Sequence, residues 1–392
     1  MAEASSNARV TPAVAECRIN ALGNDVLLRA ISFLEARQLV QTCVLSRRWR
    51  NLWRSVPRIN ATHHEFDGMA ESDEERSVLF KKFTNAFLKL RDPVTLDAFR
   101  LNYCMPGYQE SVDPHAESED ANLWIQHALQ SNARSVEVEI WNGDLLLNAA
   151  VFASNCFLTS LQLSCVILRR GFFRNLQTGC TALERLLLSG CAIYDIEISS
   201  ETVKVLSIDD SSYFTTDKRI SISISSLSYL VFSASARMPL LKNMGSLVAA
   251  SVSVDLDGTQ VDDILQFLRS LSAVTNLDIN FQGTMKMQKN SQWCPKFNNL
   301  TALTLGDWCL SADYVLIVFL QNCPNLVKLT VKTEKCNTSQ AIISKLKGKE
   351  GSLTCQNMEM LEIVCSEGDR NVLEKLLVQG DITSWNVCVR RQ

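Results

Sequence analysis

The chain has 392 residues, of which 46% are hydrophobic and 21% are charged, and its formal net charge is −3. This composition is typical of a globular protein with two or more domains, and the lack of a basic excess argues against tight non-specific binding to nucleic acid. Residues 1–18 contain no apolar core of signal-peptide length, and no run of about eighteen apolar residues occurs. We therefore expect a disordered N-terminus at residues 1–18, no membrane span, and a location in the cytoplasm, the nucleus or both.

Three short helical patterns and an abrupt stop lie within residues 22–57. In the first pattern, Asn24 or Asp25 is a candidate N-cap. Its apolar stripe consists of Leu27, Ala30, Ile31 and Leu34. Val26 and Phe33 lie outside that stripe, and a short helix that is apolar on more than one side needs a second layer of its own protein or a partner to cover it. The pattern therefore predicts a binding partner.

The second pattern covers residues 36–44, and Ser46 is a candidate cap for the third. The apolar positions are Leu39, Val40 and Val44 in the second pattern and Trp49, Leu52, Trp53 and Val56 in the third. Pro57 ends the third pattern, because proline lacks a backbone donor and disfavours helix for the residue before it. The other faces of the third helix carry Arg47, Arg48, Arg50 and Arg54. Arginines in a first turn oppose the helix dipole, so they indicate solvation or a contact rather than helix stability.

Two segments of this region, LGNDVLLRAISFL and VQTCVLSRRWRNLWRSVP, resemble the F-box of plant proteins, most specifically in the LSRRWRNLW core. The resemblance implies an F-box domain at residues 19–58 that docks onto a Skp adaptor, which connects it to a cullin scaffold and a RING subunit for ubiquitin transfer. The expected docking residues are Leu22, Val26, Leu27, Ile31, Leu34, Val40, Val44, Leu45, Trp49, Leu52 and Trp53. The family usually has Leu-Pro where this chain has Leu22-Gly23, and the more flexible glycine is expected to weaken docking by ~1 kcal/mol.

An acidic loop at residues 65–76 and an amphipathic helix follow. The predicted apolar stripe of this helix consists of Leu79, Phe80, Phe83, Phe87 and Leu90. We interpret residues 59–93 as a linker whose helix caps the next domain, because the first unit of a repeat domain would otherwise expose a hydrophobic end.

A repeated unit occupies much of the remaining chain: an apolar residue and two others precede an apolar-x-apolar segment. A first, divergent copy begins at Leu96, and the others begin at Ala133, Leu158, Leu183, Val203, Leu227, Leu247, Val274, Leu300, Leu326 and Met358. After the copy at Ala133, successive starts lie 20 to 32 residues apart, which is typical of leucine-rich repeats. The unit at Leu247 is weak, because Ala250 stands where a large residue is expected.

Each unit is expected to form a short strand whose apolar residues point into a core shared with its neighbours, so eleven strands make one curved parallel sheet. Helical segments such as residues 261–268 and 314–320 would cover the convex side. The predicted fold is therefore α/β, with an N-terminal three-helix F-box followed by a leucine-rich-repeat solenoid. The repeats occupy residues 94–349. Residues 350–392 hold the last repeat and a tail, with a helix at 372–378, that partly resembles the FBD domain.

Period-two alternation places one residue of each strand on the concave face of this solenoid. The predicted substrate-binding residues are Gln162, Leu187, Ser207, Val231, Asp278, Thr304, Thr330 and Glu362, with Glu137 and Glu139 near the start. The row is polar at both ends and apolar at Leu187 and Val231, which suits a protein or peptide better than nucleic acid. The alternative is that loops between repeats, or the acidic segment Ser111–Asn122, carry the contacts.

No motif predicts catalysis, a metal or a cofactor. Glycine-rich phosphate loops, nucleophile elbows and H-E-x-x-H motifs are absent, and the carboxylate pairs Asp209–Asp210 and Asp262–Asp263 are typical of turns and helix starts. The 14 cysteines are spread along the chain without a C-x-x-C pair, so we expect reduced thiols, with Cys180 and Cys323 as buried packing residues. The pair His63–His64 is expected to lie in a solvated loop.

Together these patterns predict a non-catalytic substrate receptor of a Skp–cullin–F-box ubiquitin ligase, without cofactors, that binds the Skp adaptor at one end and an unidentified protein substrate at the other. One alternative is a leucine-rich-repeat interaction scaffold with no ligase link. A second is a nucleic-acid-binding module built on Arg47, Arg48, Arg50, Arg54 and Arg58. Trp49 and Trp53 share an apolar stripe on the same helix, which favours a core or a protein interface over nucleic acid.

Overall fold

A computed structural model of the chain describes residues 18–105, 114–153, 157–209, 212–215, 218–234, 238–255, 260–282, 294–310, 314–333, 357–365 and 386–391. The predicted disordered N-terminus lies outside these residues except for its last residue, and the predicted tail helix at 372–378 lies wholly outside them. Of the helices within these ranges, none has both the length and the apolar composition that a membrane span requires.

The α-helices are α1 (Asn24–Ile31), α2 (Ala36–Gln41), α3 (Asp73–Leu90), α4 (Pro114–Gln130), α5 (Phe172–Gly179), α6 (Val261–Ser270) and α7 (Val315–Gln321). Short 3-10 helices occupy Arg18–Ala21, Thr42–Val44, Trp49–Ser55, His63–Phe66, Ala149–Phe152 and Asp307–Leu310. The strands are β1 (Arg58–Thr62), β2 (Ala98–Cys104), β3 (Ser135–Trp141), β4 (Leu145–Leu147), β5 (Ser160–Ser164), β6 (Val166–Leu168), β7 (Arg185–Ser189), β8 (Ala192–Ile193), β9 (Glu197–Ser200), β10 (Val205–Ile208), β11 (Tyr213–Phe214), β12 (Ser221–Ile224), β13 (Tyr229–Ala234), β14 (Leu240–Lys242), β15 (Ala249–Asp255), β16 (Asn276–Gln282), β17 (Ala302–Leu305), β18 (Lys328–Lys332), β19 (Met360–Cys365) and β20 (Asn386–Arg391).

One large sheet of thirteen parallel strands runs through the molecule. Their order is β1, β2, β3, β5, β7, β10, β13, β15, β16, β17, β18, β19 and β20, so each strand pairs with the next strand of this sheet along the chain. This is the arrangement of a solenoid, in which each repeat packs only on its neighbours. The predicted α/β fold is confirmed, but the number of strands is larger than the predicted eleven. The structure adds β20 at the end and β1 at the start, within the segment interpreted as a linker.

Each strand of the repeats begins two residues after the apolar start identified in the sequence, as at Ser160 after Leu158. Burial then alternates along the strand: in β3, Val136, Val138 and Ile140 are buried while the residues between them are partly exposed. The apolar pair of each unit therefore forms the core, as period-two geometry requires. Even the weak unit at β15 pairs with both of its neighbours, β13 and β16.

Two smaller parallel sheets form where several repeats turn a corner after the main strand. One contains β4, β6, β8 and β11, and the other contains β9, β12 and β14. The first corner uses left-handed backbone at Asn142 (φ 59°), Cys165 (φ 57°) and Gly190 (φ 61°), which directly follow β3, β5 and β7. The predicted convex layer of helices is therefore only partly correct, because short strands stand in many of the places expected to hold helices.

The end of α5 packs directly against the backbone of the preceding repeat. A Cβ atom on Gly179 would lie 1.7 Å from the carbonyl oxygen of Phe152, so this approach is possible only for glycine. The next residue, Cys180, is disulfide-bonded. The prediction of a reduced thiol is thus wrong at Cys180, whereas Cys323 is a buried free cysteine as expected.

Helix α3 packs its Phe80 side against the beginning of the sheet. The Phe80 ring stacks on Tyr103 of β2, with centroids 5.4 Å apart, and meets Trp124 of α4 edge-on at 5.5 Å. The predicted apolar stripe of this helix is wrong at its two ends, since Leu79 and Leu90 are exposed. The face that points to the core is narrower than the sequence pattern suggested.

The N-terminal helices join the sheet with only two residues between the 3-10 helix at 49–55 and β1. Trp53 of that helix stacks on Phe87 of α3, with ring centroids 5.3 Å apart. Arg91 Nη2 donates a hydrogen bond to the Val56 carbonyl (2.7 Å). Burial of one large aromatic side chain contributes on the order of 2 kcal/mol to folding. The three helices and the sheet are therefore packed as one body rather than connected by a flexible segment.

A carboxylate from beyond β1 caps α2 and strengthens this junction. Glu65 accepts hydrogen bonds from the backbone N–H groups of Arg37 (3.0 Å) and Gln38 (3.1 Å), and Arg37 Nη1 donates to the Glu65 carbonyl (3.0 Å). A negative charge is favourable at a helix N-terminus, although burial raises the pKa of Glu65. The protein thus supplies its own second layer on one side of the N-terminal helices.

Candidate functional site

Part of the predicted docking set lies inside the protein's own core. Leu27, Ile31, Trp49 and Trp53 are only 2%, 5%, 8% and 6% exposed. A partner cannot contact these side chains in this structure, so their burial corrects the prediction that they form the docking face. The half-buried residues of the set also pack against this core, and they are Leu34, Val40 and Leu52. The apolar spacing along these helices therefore identifies mainly residues that are buried in the protein's own core.

Between residues 22 and 45, five large apolar side chains remain open to solvent. We call them the N-terminal apolar surface, and they are Leu22 (41% exposed), Val26 (50%), Phe33 (72%), Val44 (82%) and Leu45 (64%). Exposed apolar groups concentrated in one short segment indicate a site of interaction with another macromolecule. All but Phe33 belong to the predicted docking set.

Arg48 fixes the segment after α2 against the beginning of α1. Its guanidinium donates hydrogen bonds to the Leu22 carbonyl and to Asn24 Oδ1, the latter at 3.0 Å from Nε and 2.8 Å from Nη2. Leu45 precedes Arg48 by three residues, and Val44 is adjacent to Leu45. The contact therefore holds the segment that follows Val44 and Leu45 close to Leu22 at the beginning of α1.

Phe33 and Arg58 form a pair at the far end of α1. The guanidinium carbon of Arg58 lies 5.1 Å from the centre of the Phe33 ring, and both side chains are exposed. Val26 lies in α1, and Phe33 lies in the turn that follows the helix, two residues after its last residue, Ile31. The sequence placed Val26 and Phe33 outside the apolar stripe and predicted a partner from them, but the predicted docking set included Val26 and not Phe33.

Gly23 adopts φ −62° and ψ 155°, which is a conformation that proline also takes, and a Cβ at this position would have no neighbour within 4 Å. The departure from the usual Leu-Pro sequence of the family therefore leaves the local geometry unchanged. Its expected effect is confined to the greater freedom that glycine has before folding or binding.

One residue from each strand of the main sheet lies in a row across its outward face. We call it the central row, and in register order it contains Asn60, Arg100, Glu137, Gln162, Leu187, Ser207, Val231, Ser251, Asp278, Thr304, Thr330, Glu362 and Cys388. Nine of the ten predicted substrate residues are in this row, and Glu139 lies two residues further along β3. The sequence analysis missed Arg100 and Ser251 because they belong to the divergent first unit and to the weak unit.

The charges near the two ends of the central row neutralise one another. Arg100 Nε lies 3.3 Å from Glu137 Oε1, and Arg100 Nη2 lies 3.8 Å from Glu139 Oε2. Lys332 Nζ lies 2.8 Å from Asp278 Oδ2. Between these pairs, from β5 to β15, the row carries no charged residue. The middle of the central row is therefore uncharged, and the exposed Arg185 lies two residues before Leu187 on the same face of β7.

Two predicted substrate residues are buried instead of accessible. Thr330 and Glu362 are 6% and 5% exposed, respectively. The Thr330 hydroxyl donates to Glu362 Oε2 (3.1 Å), and Lys328 Nζ lies 2.7 Å from the same oxygen. The neighbouring side chains cover and pair this carboxylate, so the prediction is corrected at these two positions. From β2 to β17 the residues of the row are exposed or partly exposed.

The carboxylate pairs noted in the sequence have structural roles where they are described. Asp209 Oδ1 accepts a hydrogen bond from the Gly190 N–H (3.1 Å) at the corner after β7. Asp263 Oδ1 forms an ion pair with Arg219 Nη1 at 2.7 Å, in the first turn of α6. In the part of the chain that the structure describes, no group of three or more His, Cys, Asp or Glu side chains is placed to hold a metal ion.

His63 is buried at the junction, contrary to the solvated loop predicted for His63–His64. It is 4% exposed, its Nε2 has no hydrogen-bond partner among the described residues, and its ring meets Phe80 and Tyr103 edge-on. Burial lowers the pKa of His63, and the positive charge of Arg76 lowers it further. The neighbouring His64 is exposed, and its Nε2 lies 2.9 Å from Glu35 Oε1.

We expect the protein to lose stability in mild acid through His63. Because the pKa of His63 is lower in the folded state than the ordinary value of 6.5, the unfolded state takes up this proton first. The contribution of neutral His63 to the free energy of unfolding is complete above pH 6.5 and is lost as the pH falls from 6.5 towards the folded-state pKa. Denaturant unfolding of the wild type and of His63→Phe should be compared between about pH 7.5 and pH 5. The free energy of unfolding should decline less steeply with falling pH for the variant, and the difference in slope should correspond to the uptake of at most one proton. Equal slopes would contradict this assignment.

Residues 19–60 match the family model described as the F-box domain. This part of the chain is an F-box domain. Over most of its length the chain is also similar to proteins of Arabidopsis thaliana. One F-box/LRR-repeat protein is 25% identical over 371 residues, which cover 81% of this chain and 69% of the relative. A second is 24% identical over 95% of this chain and 89% of the relative. An FBD-associated F-box protein is 26% identical over 93% of this chain and 90% of its own length.

The N-terminal apolar surface therefore lies on the F-box, and the central row lies on the repeats. The matched residues extend to residue 60, so they include the first residues of β1. The resemblance found in LSRRWRNLW and in the repeated units is confirmed, and the membership of these relatives in F-box families is typical of adaptor-type proteins.

Proposed function

We propose that the protein is a substrate adaptor of a Skp–cullin–F-box ubiquitin ligase. The observation that carries this proposal is the state of the F-box: one side of its helices is packed into the core, while the five side chains of the N-terminal apolar surface are exposed. A Skp adaptor bound there would cover them and would link the protein, through a cullin and a RING subunit, to ubiquitin transfer. The protein itself supplies no catalytic group in this proposal and acts in the cytoplasm, the nucleus or both.

The second half of the proposal assigns substrate capture to the accessible part of the central row. The central row is uncharged around Leu187 and Val231, and the charged residues at its two ends are already paired, so these row residues lose little solvation when a protein surface covers them. Tyr229, two residues before Val231, is 41% exposed and adds an aromatic group of the kind enriched at protein interfaces. We propose a protein or peptide substrate for this surface.

Substitution of Leu187 and Val231 by arginine is expected to remove substrate capture. Two like charges placed on β7 and β13, with only β10 between them, would have to be desolvated without partners, which costs several kcal/mol or, in affinity, roughly 100-fold or more. Both side chains are only partly buried on the outward face, so the fold should be preserved. Proximity labelling in cells with an inhibited proteasome would compare the proteins captured by the variant and by the wild type.

A matched control replaces two exposed apolar residues on helices away from the sheet face, Val78→Arg with Leu123→Arg. This control changes the net charge equally and should keep the wild-type set of captured proteins. Both double variants should keep the wild-type melting temperature and Skp-adaptor binding. If the Leu187 and Val231 variant retains the full set, substrate binds elsewhere, as the loops between repeats would allow.

The alternative of a repeat scaffold without a ligase link is decided by a separate measurement. The full-length chain, mixed with a purified Skp adaptor, should elute with it as one complex in size-exclusion chromatography. Elution as two separate species would favour the scaffold. The alternative of nucleic-acid binding is weakened because Trp49 and Trp53 are buried and cannot stack on bases.

A further inference from the structure

The F-box differs sharply in charge from the remainder of the chain. Residues 19–60 contain seven arginines, no lysine and two carboxylates, which gives a net charge of +5, whereas the whole chain carries −3. The remaining residues therefore carry −8. Residues 19–60 are therefore positively charged within a negatively charged protein. The electrostatic field of this positive charge would attract a partner of opposite charge.

The exposed arginines stand among the residues of the N-terminal apolar surface. Arg29 is exposed and lies three residues after Val26 on α1, so the two side chains are neighbours on the helix surface. Arg58 lies over the Phe33 ring at 5.1 Å. At the other end, Arg47 is exposed two residues after Leu45. Charged and apolar side chains therefore alternate along one surface.

Few carboxylates of the protein itself are available to neutralise these arginines. Glu35 is one of the two acids of the F-box, and its Oε1 already lies 2.9 Å from His64 Nε2. The other, Asp25, is exposed near the beginning of α1. Within the described residues, no ion pair engages Arg29, Arg47 or Arg58. These guanidinium groups are solvated in the free protein and are ready to meet an external anion.

We propose that the F-box docks onto an acidic face of its partner, in which carboxylates surround an apolar groove and meet Arg29, Arg47 and the Arg58–Phe33 pair. This inference rests on the proposed function, because it takes the Skp adaptor as the partner. The apolar side chains supply contact area, while the arginines steer the encounter and raise the association rate constant. The Arg58–Phe33 pair extends the contact beyond the docking residues expected from the sequence.

A protein partner is favoured over nucleic acid by the composition of this surface. All five side chains of the N-terminal apolar surface are at least 41% exposed, and a phosphate backbone would leave them without apolar partners. Interfaces with nucleic acid are polar and strongly positive throughout, whereas here the exposed arginines are interspersed along the chain with exposed apolar side chains. Alternation of this kind matches the apolar centre and polar rim of a protein interface.

The test measures association kinetics of the full-length chain with a purified Skp adaptor by stopped flow, at about 50, 150 and 500 mM NaCl. We expect the association rate constant to fall ~10-fold over this range and the double variant Arg29→Glu with Arg58→Glu to lower it by ~10-fold or more at low salt. The matched control, Arg134→Glu with Arg269→Glu, makes the same change in net charge at two exposed arginines of the repeats and should change the rate constant less than about twofold.

The possible outcomes separate this inference from the function on which it rests. If binding does not depend on salt or on the Arg29 and Arg58 substitutions, the proposal of an acidic partner face is wrong, while the proposal of adaptor docking stands. Absence of binding at every salt concentration would overturn the proposed function itself. A duplex DNA or RNA of about 30 base pairs that binds at 150 mM NaCl, and is lost in the same variant, would replace the protein partner by nucleic acid.

Discussion

Replacement of Val26 and Leu45 by aspartate is expected to abolish Skp-adaptor binding while the protein stays folded. Both side chains are exposed, at 50% and 64%, so the charges remain hydrated in the free protein. In a complex they would be buried without partners, which costs several kcal/mol each and weakens binding by roughly 1,000-fold or more. Titration calorimetry with a purified Skp adaptor measures the loss, and thermal melting should be unchanged within about 2 °C.

The matched pair for this experiment is Leu27→Asp with Ile31→Asp, on the opposite side of the same helix. These residues are 2% and 5% exposed, so the same chemical change introduces charge into the core and should lower the melting temperature markedly. The comparison separates a docking surface from a structural one. If the Val26 and Leu45 variant binds as the wild type does, the adaptor docks on a different face of the F-box.

Substitution of Gly179 by alanine is expected to cause the largest loss of stability from a single added methyl group. Its Cβ would meet the carbonyl oxygen of Phe152 at 1.7 Å, and backbone atoms cannot rotate away as a side chain can. The end of α5 must then move away from the preceding repeat, at a cost of about 3 kcal/mol. Urea unfolding would measure this as a lower midpoint.

Gly245→Ala is the control for this substitution, because a Cβ at Gly245 has no neighbour within 4 Å. Its backbone φ is not in the left-handed region, so alanine should be neutral or slightly stabilising there. If Gly179→Ala unfolds at the same urea concentration as the control, the close packing of α5 on Phe152 does not contribute to stability.

The sheet was the part of the fold that the sequence specified best. The strands of the main sheet from β2 to β19 begin two residues after an apolar start such as Leu158 or Val274, because the repeated units alternate core and outward positions along the sequence. The corners between sheets had no comparable signal. Asparagine favours left-handed backbone angles, so Asn142 carries a weak signal, whereas Cys165 has no such preference and its angle depends on the packing of neighbouring repeats.

The docking side of the F-box could not be predicted from helical periodicity. A stripe such as Leu27 and Ile31 shows that one side of a helix is covered, but not whether a partner or the same protein covers it. That choice depends on contacts distant along the chain, above all Trp53 with Phe87. The burial of Glu362 was missed for the same reason, because its cover comes from Lys328 on the neighbouring strand.

The short connection between the F-box helices and β1 has a consequence for the choice of ubiquitination site. Only two residues separate the 3-10 helix from the sheet, and Trp53 and Arg91 hold the two parts together. Under the proposed function, a captured substrate would be held at a fixed distance and bearing from the ubiquitin-charged enzyme. Whether a substrate lysine is modified would then depend on its position on the substrate surface. Moving that lysine to another position should change the yield of ubiquitinated substrate more than changing the residues next to it in the sequence.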